Sequence, residues 1–349
     1  MAKIKLNITT LIDYIEQNPG LSSKEIHEKI SGGIISYATV KRALHDLEEK
    51  NFIITVGKGK GTKYELSKAY KLIHEINVGE YFQKETDERT IKNNFNHNLI
   101  KKTLNKVDLF SNEELQHLNG LQEQYNNKIA KLTVNAFNKE MERLAIDLSW
   151  KSSQIEGNTY SLLETESLLK DKKTAAGKTK DEAVMLLNHK DALDFIVANP
   201  DYISPLKLSS IEDIHSILIK ELCVDRNIRI RGVGITGTNY KPLDNEFQIK
   251  EAMEELCGLV NLKENIFEKA FLVLILISYI QPFNDGNKRT ARIISNAILM
   301  NNKYCPLSFR TVDTEEYKKA MLIFYEQNNI SAFKHIFITQ FEFAVNTYF

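Results

Sequence analysis

The chain has 349 residues, 46 basic against 46 acidic side chains and a formal charge of zero. Hydrophobic residues make up 42% and charged residues 26%, which excludes a wholly disordered chain and is enough for a core without disulfides. At about 150 residues per domain the length suggests roughly two domains, and the balanced charge confines any nucleic-acid contact to a local patch. The opening residues, MAKIKLNITT, hold too short an apolar run for a signal peptide. Leu6 to Gln17 is apolar at Leu6, Leu11, Ile12 and Ile15, a helical spacing that Asn18-Pro19-Gly20 stops. Ser22 or Ser23 can cap a second helix, Lys24 to Ile30, with Glu25 in its first turn. Gly32-Gly33 reads as a turn. Ser36 then caps a third helix through Lys50, with Val40, Leu44 and Leu47 on its apolar face. Phe52 to Val56 reads as a strand, Gly57 to Gly61 as a hairpin tip and Thr62 to Leu66 as the return strand.

Three helices and a two-stranded ribbon resemble a winged helix-turn-helix domain over residues 1–68. In such domains the N-terminal residues of the recognition helix meet base edges. The resemblance implies that role for Thr39, Lys41 and Arg42 and phosphate contacts for Lys58 and Lys60, hence duplex DNA as a partner. Domains of this kind often read two half-sites, so a homodimer fits the reading. The segment has 11 basic and 8 acidic residues, so an interaction or dimerisation module with a solvated lysine-rich turn stands beside the DNA reading.

Residues 69–110 are polar and weakly periodic and read as a helical linker. From Ser111 helical patterns dominate, including 134–152, 205–222, 266–280 and 287–301. Arg231 to Tyr240 alternates glycines with β-branched residues before Pro242 and reads as a flap-like hairpin. Cys223, Cys257 and Cys305 are odd in number and far apart, which fits a reducing, cytoplasmic setting better than a disulfide framework or zinc site. The longest apolar run, Ala270 to Ile280, is too short to span a bilayer, so no membrane partner is expected.

The densest chemistry lies in Gln281-Pro282-Phe283-Asn284-Asp285-Gly286-Asn287-Lys288-Arg289-Thr290-Ala291-Arg292. It joins a fully apolar helix to a second helix. A helix N-terminus offers free N–H groups and a positive dipole end, which favour an anion. Gly286 lets a phosphate approach the backbone. Asp285 suits a magnesium ion, which takes one carboxylate and completes its shell with water and phosphate. Arg289 and Arg292 lie three apart, and arginine forks match phosphate oxygens. The plainer alternative is a capped helix with two surface arginines.

This stretch resembles the active-site motif of Fic (Fido) domain proteins, His-Pro-Phe-x-Asp/Glu-Gly-Asn-Gly/Lys-Arg-x-x-Arg, with Gln281 in place of the histidine. Upstream, Ser152-Ser153-Gln154-Ile155-Glu156-Gly157 resembles the family's inhibitory-helix pattern, Ser/Thr-x-x-x-Glu-Gly/Asn. The fold implied is mainly α: an all-helical Fic core with a small β-hairpin flap over residues 111–349, an inhibitory helix near 145–158, and the winged helix-turn-helix domain in front. Family members move AMP from ATP to a hydroxyl of a target protein. The resemblance therefore implies ATP as substrate nucleotide, Mg²⁺ at Asp285, and phosphate binding by Gly286, Asn287, Lys288, Arg289 and Arg292. Thr236, Gly237 and Tyr240 would line the target flap, and Ser152, Glu156 and Gly157 would form the inhibitory element, with Glu156 on Arg292.

Two positions depart from the family. Gln281 has no useful basicity near neutral pH, where the family's histidine titrates, and loss of a general base costs about 10²–10⁴-fold in rate. Lys288 occupies the slot where the Doc branch, which transfers phosphate, also has lysine. The expectation is a self-inhibited adenylyltransferase-type protein with weak or lost transfer. Its alternatives are a DNA-binding transcriptional regulator with a non-catalytic Fic core, or a Doc-like phosphotransferase. His215, on an apolar helix, is expected as a lining histidine rather than a replacement base.

Overall fold

The computed structural model describes residues 6–31, 35–67 and 69–349. The expected Gly32-Gly33 turn lies outside them, and of Lys60 only the backbone is described. The chain divides into two compact units, residues 1–75 and 76–349.

In the first unit, α1 (Ile8–Gln17) is capped by the Asn7 side chain, which accepts from Thr10 N at 3.3 Å. Ser22, not Ser23, starts α2 (Ser23–Ser31), since its N–H and hydroxyl both donate to the Glu25 carboxylate at 2.8 and 2.7 Å. Ser36 caps α3 (Tyr37–Glu49). β1 (Ile53–Val56) pairs antiparallel with β2 (Lys63–Leu66), Ile53 facing Leu66 and Val56 facing Lys63. Leu11, Ile15, Ile26, Val40, Leu44, Leu47, Ile53 and Tyr64 close one core from all five elements. The segment read as a linker divides between the units. Its first part, with the short helix α4 (Tyr70–Ile73), stays with the first unit, where Tyr70 packs on Phe52 with ring centroids 5.3 Å apart.

The named elements of the second unit are all helical among its described residues. It runs through α5 (Val78–Tyr81), a π-helical turn (Leu99–Leu104), α6 (Asn112–Ile129), α7 (Val134–Ile155), α8 (Leu162–Asp171) and α9 (Lys180–Ala198). There follow α10 (Leu208–Leu218), α11 (Glu246–Leu262), α12 (Ile266–Ile280), α13 (Asn287–Asn301), α14 (Thr314–Gln327) and α15 (Ser331–Tyr348). Every side chain of α12 from Ala270 to Ile280 is buried, as a helix that is apolar all round requires. Burial of each large apolar side chain contributes about 1.5–3 kcal/mol, so α12 is the spine on which α13 lies antiparallel. Asn296 of α13 ties in the following segment, donating to Leu307 O at 3.0 Å and accepting from Leu307 N at 2.6 Å. The six residues between α12 and α13 are the motif loop, held at both ends by the most buried helices of the unit.

Two expectations change. The helix expected over 134–152 runs on to Ile155, which brings Glu156 to its C-cap. The hairpin expected over 231–240 is absent: the segment is an irregular loop with a turn at Thr236-Gly237, and its sole bridge joins Lys241 to Asn94. With glycines at 232, 234 and 237 and no partner strand beside it, the alternating pattern has no ladder to enter.

Candidate active site

α12 ends on Gln281, whose φ of 53° turns the chain out of the helix while its N–H still donates to Ile277 O. The Gln281 side chain is engaged at both ends. Its Nε2 donates to Ser278 O at 2.6 Å and its Oε1 accepts from Asn287 Nδ2 at 2.9 Å. Asn287 also closes the loop on itself, accepting from Phe283 N at 2.9 Å and donating to Phe283 O at 2.8 Å. Its side chain, expected as a phosphate ligand, is thus a knot within the loop, buried and already satisfied. Arg229, not singled out in the sequence, supports the same turn from below: its N–H donates to Pro282 O at 3.0 Å and its Nε to Gln281 O at 2.6 Å.

Gly286 is the N-cap of α13 at φ 82°, with no side-chain cap. A Cβ there would meet His215 and Ile219 at 3.3–3.4 Å, so both the conformation and the space call for glycine. His215 forms the floor: its ring stacks on Phe283 at 3.6 Å, and Nε2 hydrogen-bonds Asp285 O at 2.9 Å. Burial pushes its pKa down to about 4, so it stays neutral and its contact is with a loop carbonyl, consistent with a lining role. Above it the first-turn amides of Asn287, Lys288 and Arg289 donate to no backbone acceptor among the described residues, while Thr290 N donates to Gly286 O at 2.8 Å.

The charged residues divide. Arg289 is fully buried and donates to Asp285 Oδ2 at 2.8 Å. It was expected to reach phosphate directly, but its fork points beneath the loop, where it aims the Asp285 carboxylate outward. The Asp285 side chain is 56% exposed.

Arg292 and Lys288 converge instead on the end of α7. Arg292 is fully buried; its Nε donates to Ser152 Oγ at 2.8 Å, and its Nη2 donates to Ser152 O and Glu156 Oε1, both at 2.9 Å. The Tyr317 ring lies under its guanidinium at 5.3 Å. Lys288 Nζ reaches the other oxygen, Glu156 Oε2, at 3.2 Å. One carboxylate therefore bridges two cations of the motif. Gly157 takes φ 100° and carries the chain away from the bridge. Burial alone would raise the Glu156 pKa, but Arg292 and then Lys288 outweigh it and lower it to about 2.

This shift carries a pH prediction. A carboxylate lowered from 4.5 to about 2 stabilises the fold above pH 4.5, and that contribution is lost as the pH falls toward 2. Melting temperature against pH should show this loss in the unmodified chain and less of it in Glu156→Gln. The bridge should hold unchanged from pH 5 to 9.

The loop over residues 231–241 places its residues unevenly. Thr236 and Gly237 are exposed at the turn. Tyr240, expected to line the target side, is buried. Its hydroxyl donates to Tyr279 O at 3.1 Å and its ring stacks on Tyr279 at 4.9 Å. The physical reason is α12: the aromatic face of Tyr279 offers a site for a large ring that the loop's exposed edge lacks.

In the first unit Thr39, Lys41 and Arg42 are exposed on α3 and Lys58 on the ribbon tip. The Thr39 hydroxyl lies 2.9 Å from Ser36 Oγ, within the helix cap.

Among the described residues no group of three or more His, Cys, Asp or Glu side chains could hold a metal, and no helix is long and apolar enough to cross a membrane. Residues 202–299 match the model of the Fic/DOC family. A protein adenylyltransferase Fic of Nematostella vectensis is 30% identical over 174 residues, 48% of this chain and 40% of that protein. Protein adenylyltransferase fic-1 of Caenorhabditis elegans is 26% identical over 170 residues, 47% of this chain and 33% of that protein. The chain spans well under half the length of these curated relatives. In fold it is similar to the solved structure of Fic-1 from C. elegans, with a TM-score of 0.59 and 20% identity, covering 68% of this chain and 72% of that one. It is also similar to a Fic domain containing signaling protein from Bacteroides thetaiotaomicron, with a TM-score of 0.56 and 19% identity, covering 66% and 95%. The family match falls within the second unit.

Proposed function

We propose that the second unit is a Fic domain that binds ATP as a protein adenylyltransferase-type module, that Glu156 holds it in an inhibited state, and that Gln281 leaves transfer weak or lost. The observation that carries the reading is the Glu156 carboxylate seated on Arg292 and Lys288. A carboxylate 18% exposed between two cations, beside the uncapped N-terminus of α13, occupies ground suited to a phosphate group. In this reading the amides of Asn287, Lys288 and Arg289 receive phosphate oxygens, and Arg292 and Lys288 turn to phosphate once Glu156 withdraws. Asp285 is aimed by Arg289 and retains an exposed oxygen, a donor set that fits Mg²⁺ when phosphates complete the shell. Bound there, the ion would neutralise phosphate charge.

Adenylyl transfer joins a target hydroxyl oxygen to the α-phosphorus, breaks the bond to pyrophosphate and releases the hydroxyl proton. The Gln281 Oε1 already accepts from Asn287, and an amide oxygen is too weak a base to take that proton at neutral pH. The exposed turn at Thr236-Gly237 is suited to lie along an extended target segment. The homologous enzymes support AMP as the group moved; Lys288, as in the Doc branch, leaves phosphate transfer as the second outcome.

Soaking crystals of the full chain and of Glu156→Gly with ATP and Mg²⁺ tests this reading. Phosphate oxygens on the first-turn amides of α13 and on Arg292 are expected in the variant. Nucleotide bound elsewhere, or nowhere in both, would overturn it.

A second reading concerns residues 1–75. The exposed row Thr39, Lys41 and Arg42 on a capped helix, beside a ribbon with Lys58 at its tip, favours duplex DNA and a homodimer reading two half-sites. Mutating Lys41 and Arg42 to alanine should weaken a duplex mobility shift, and affinity in the unmodified chain should fall steeply with salt. A shift insensitive to salt would remove this reading.

A further inference from the structure

Among the described residues, the loop at 230–240 forms no backbone hydrogen bond within itself. Arg229 holds its start at Arg231 O, 2.7 Å, and Tyr279 holds Tyr240 at its end, while the turn between is tied by the segment at 86–94 that precedes the family match. Arg89 is nearly buried, 5% exposed, and pairs with Glu326, which is fully buried, at 3.1 Å. The same Arg89 Nη2 donates to Gly237 O at 2.6 Å, at the turn where Gly237 takes φ 86°. Two further ties flank it. Asn239 Nδ2 donates to Asp87 Oδ1 at 2.8 Å, and Lys241 N donates to Asn93 O at 2.8 Å.

The segment is itself fastened to the end of α14. Tyr81 OH donates to Glu326 Oε2 at 2.6 Å, Gln327 Nε2 donates to Thr90 O at 2.6 Å, and Lys92 N donates to Glu326 O at 2.8 Å. The Arg89 guanidinium also stands 5.0 Å over the Phe82 ring. A planar fork can hold a carboxylate and a carbonyl at once in fixed directions, which a lysine point charge cannot.

We propose that residues 86–94 are a strap that sets the target-aligning loop, and that Arg89 is its positioning residue, acting through the Gly237 carbonyl. The proposal rests on the reading of 231–241 as the loop that aligns a target segment. It adds that this alignment is dictated by a part of the chain outside the family match.

Hydrogen–deuterium exchange on the full chain tests it, with Arg89→Ala, Arg89→Lys and Asp87→Ala. Arg89→Ala leaves Glu326 buried and unpaired, so Arg89→Lys, which keeps the charge, and Asp87→Ala, at an exposed tie, guard against loss of folding. Exchange at the loop's bonded amides, Tyr240 and Lys241, is expected to rise about tenfold in each of these two variants, the worth of one hydrogen bond, while α12 and α13 keep their protection. ATP affinity, measured in a Glu156→Gly background, is expected to stay unchanged. Unaltered exchange over 231–241 in both variants, or an equal rise across all of 76–349, would overturn the strap. Absence of ATP binding in the background variant would instead count against the nucleotide reading and leave the exchange result to judge the strap.

Discussion

Replacing Glu156 with glycine is expected to raise the affinity for ATP by about 10–100-fold, the worth of one charge-assisted hydrogen bond or a little more. In the closed arrangement Arg292 is committed to Ser152 and Glu156, and Lys288 to the second Glu156 oxygen. A phosphate must displace that carboxylate before it gains either cation, and the lowered pKa of about 2 shows how strongly the charged form is held. The same substitution should lower the stability of the nucleotide-free protein, because breaking a buried pair and leaving its partner uncompensated costs about 3–5 kcal/mol. Arg292 is fully buried and would be that partner. Calorimetric titration with ATP, with a melting curve before and after nucleotide, checks both parts. Equal affinity in Glu156→Gly and the unmodified chain would sink the inhibitory role. Lys288→Ala should change affinity by less than about threefold, since it loosens the bridge and removes a phosphate cation together.

Introducing histidine at position 281 in the Glu156→Gly background is the second large effect. Transfer should rise by about 10²–10⁴-fold, the usual contribution of a positioned general base. The imidazole would stand at the αL end of α12, where the main-chain carbonyl is already held by Arg229 at 2.6 Å. It would forfeit one of the two amide contacts, those to Ser278 O and to Asn287, so a modest loss of stability should accompany the gain. Incubation with α-labelled and γ-labelled ATP reads the outcome. Protein labelled from the α position supports AMP transfer, and label from the γ position alone supports phosphate transfer. Label from the unmodified chain at the rate of the variant would refute the claim that Gln281 limits transfer.

Much of this protein is local enough to be read without coordinates. Helix bounds for α9, α12 and α13 follow from apolar spacing and from caps such as Thr179 and Asn265, whose side chains accept from the amides three residues on. The motif loop between two such helices is fixed by its neighbours in sequence, so Gly286, Asp285 and Gln281 could be singled out by type and spacing. Ser152 and Glu156, four residues apart at the end of α7, share one face by local spacing, whereas their meeting with Arg292 was expected only from the family resemblance.

The side chains whose surroundings the sequence did not show share another cause. Tyr240 turns inward because Tyr279, distant in sequence, offers it an aromatic face. Arg289 and Asn287 look like phosphate ligands by type, yet Asp285 and Phe283 claim their side chains. Arg229 and Arg89 carried no pattern at all; each is buried by carbonyls and carboxylates contributed from elsewhere in the chain. Periodicity and caps are set by residues within a turn or two, so helices and the loop between them were already written in the order of amino acids. Which way a side chain faces from an aperiodic segment depends on long-range partners, and only the packed chain brings those within reach.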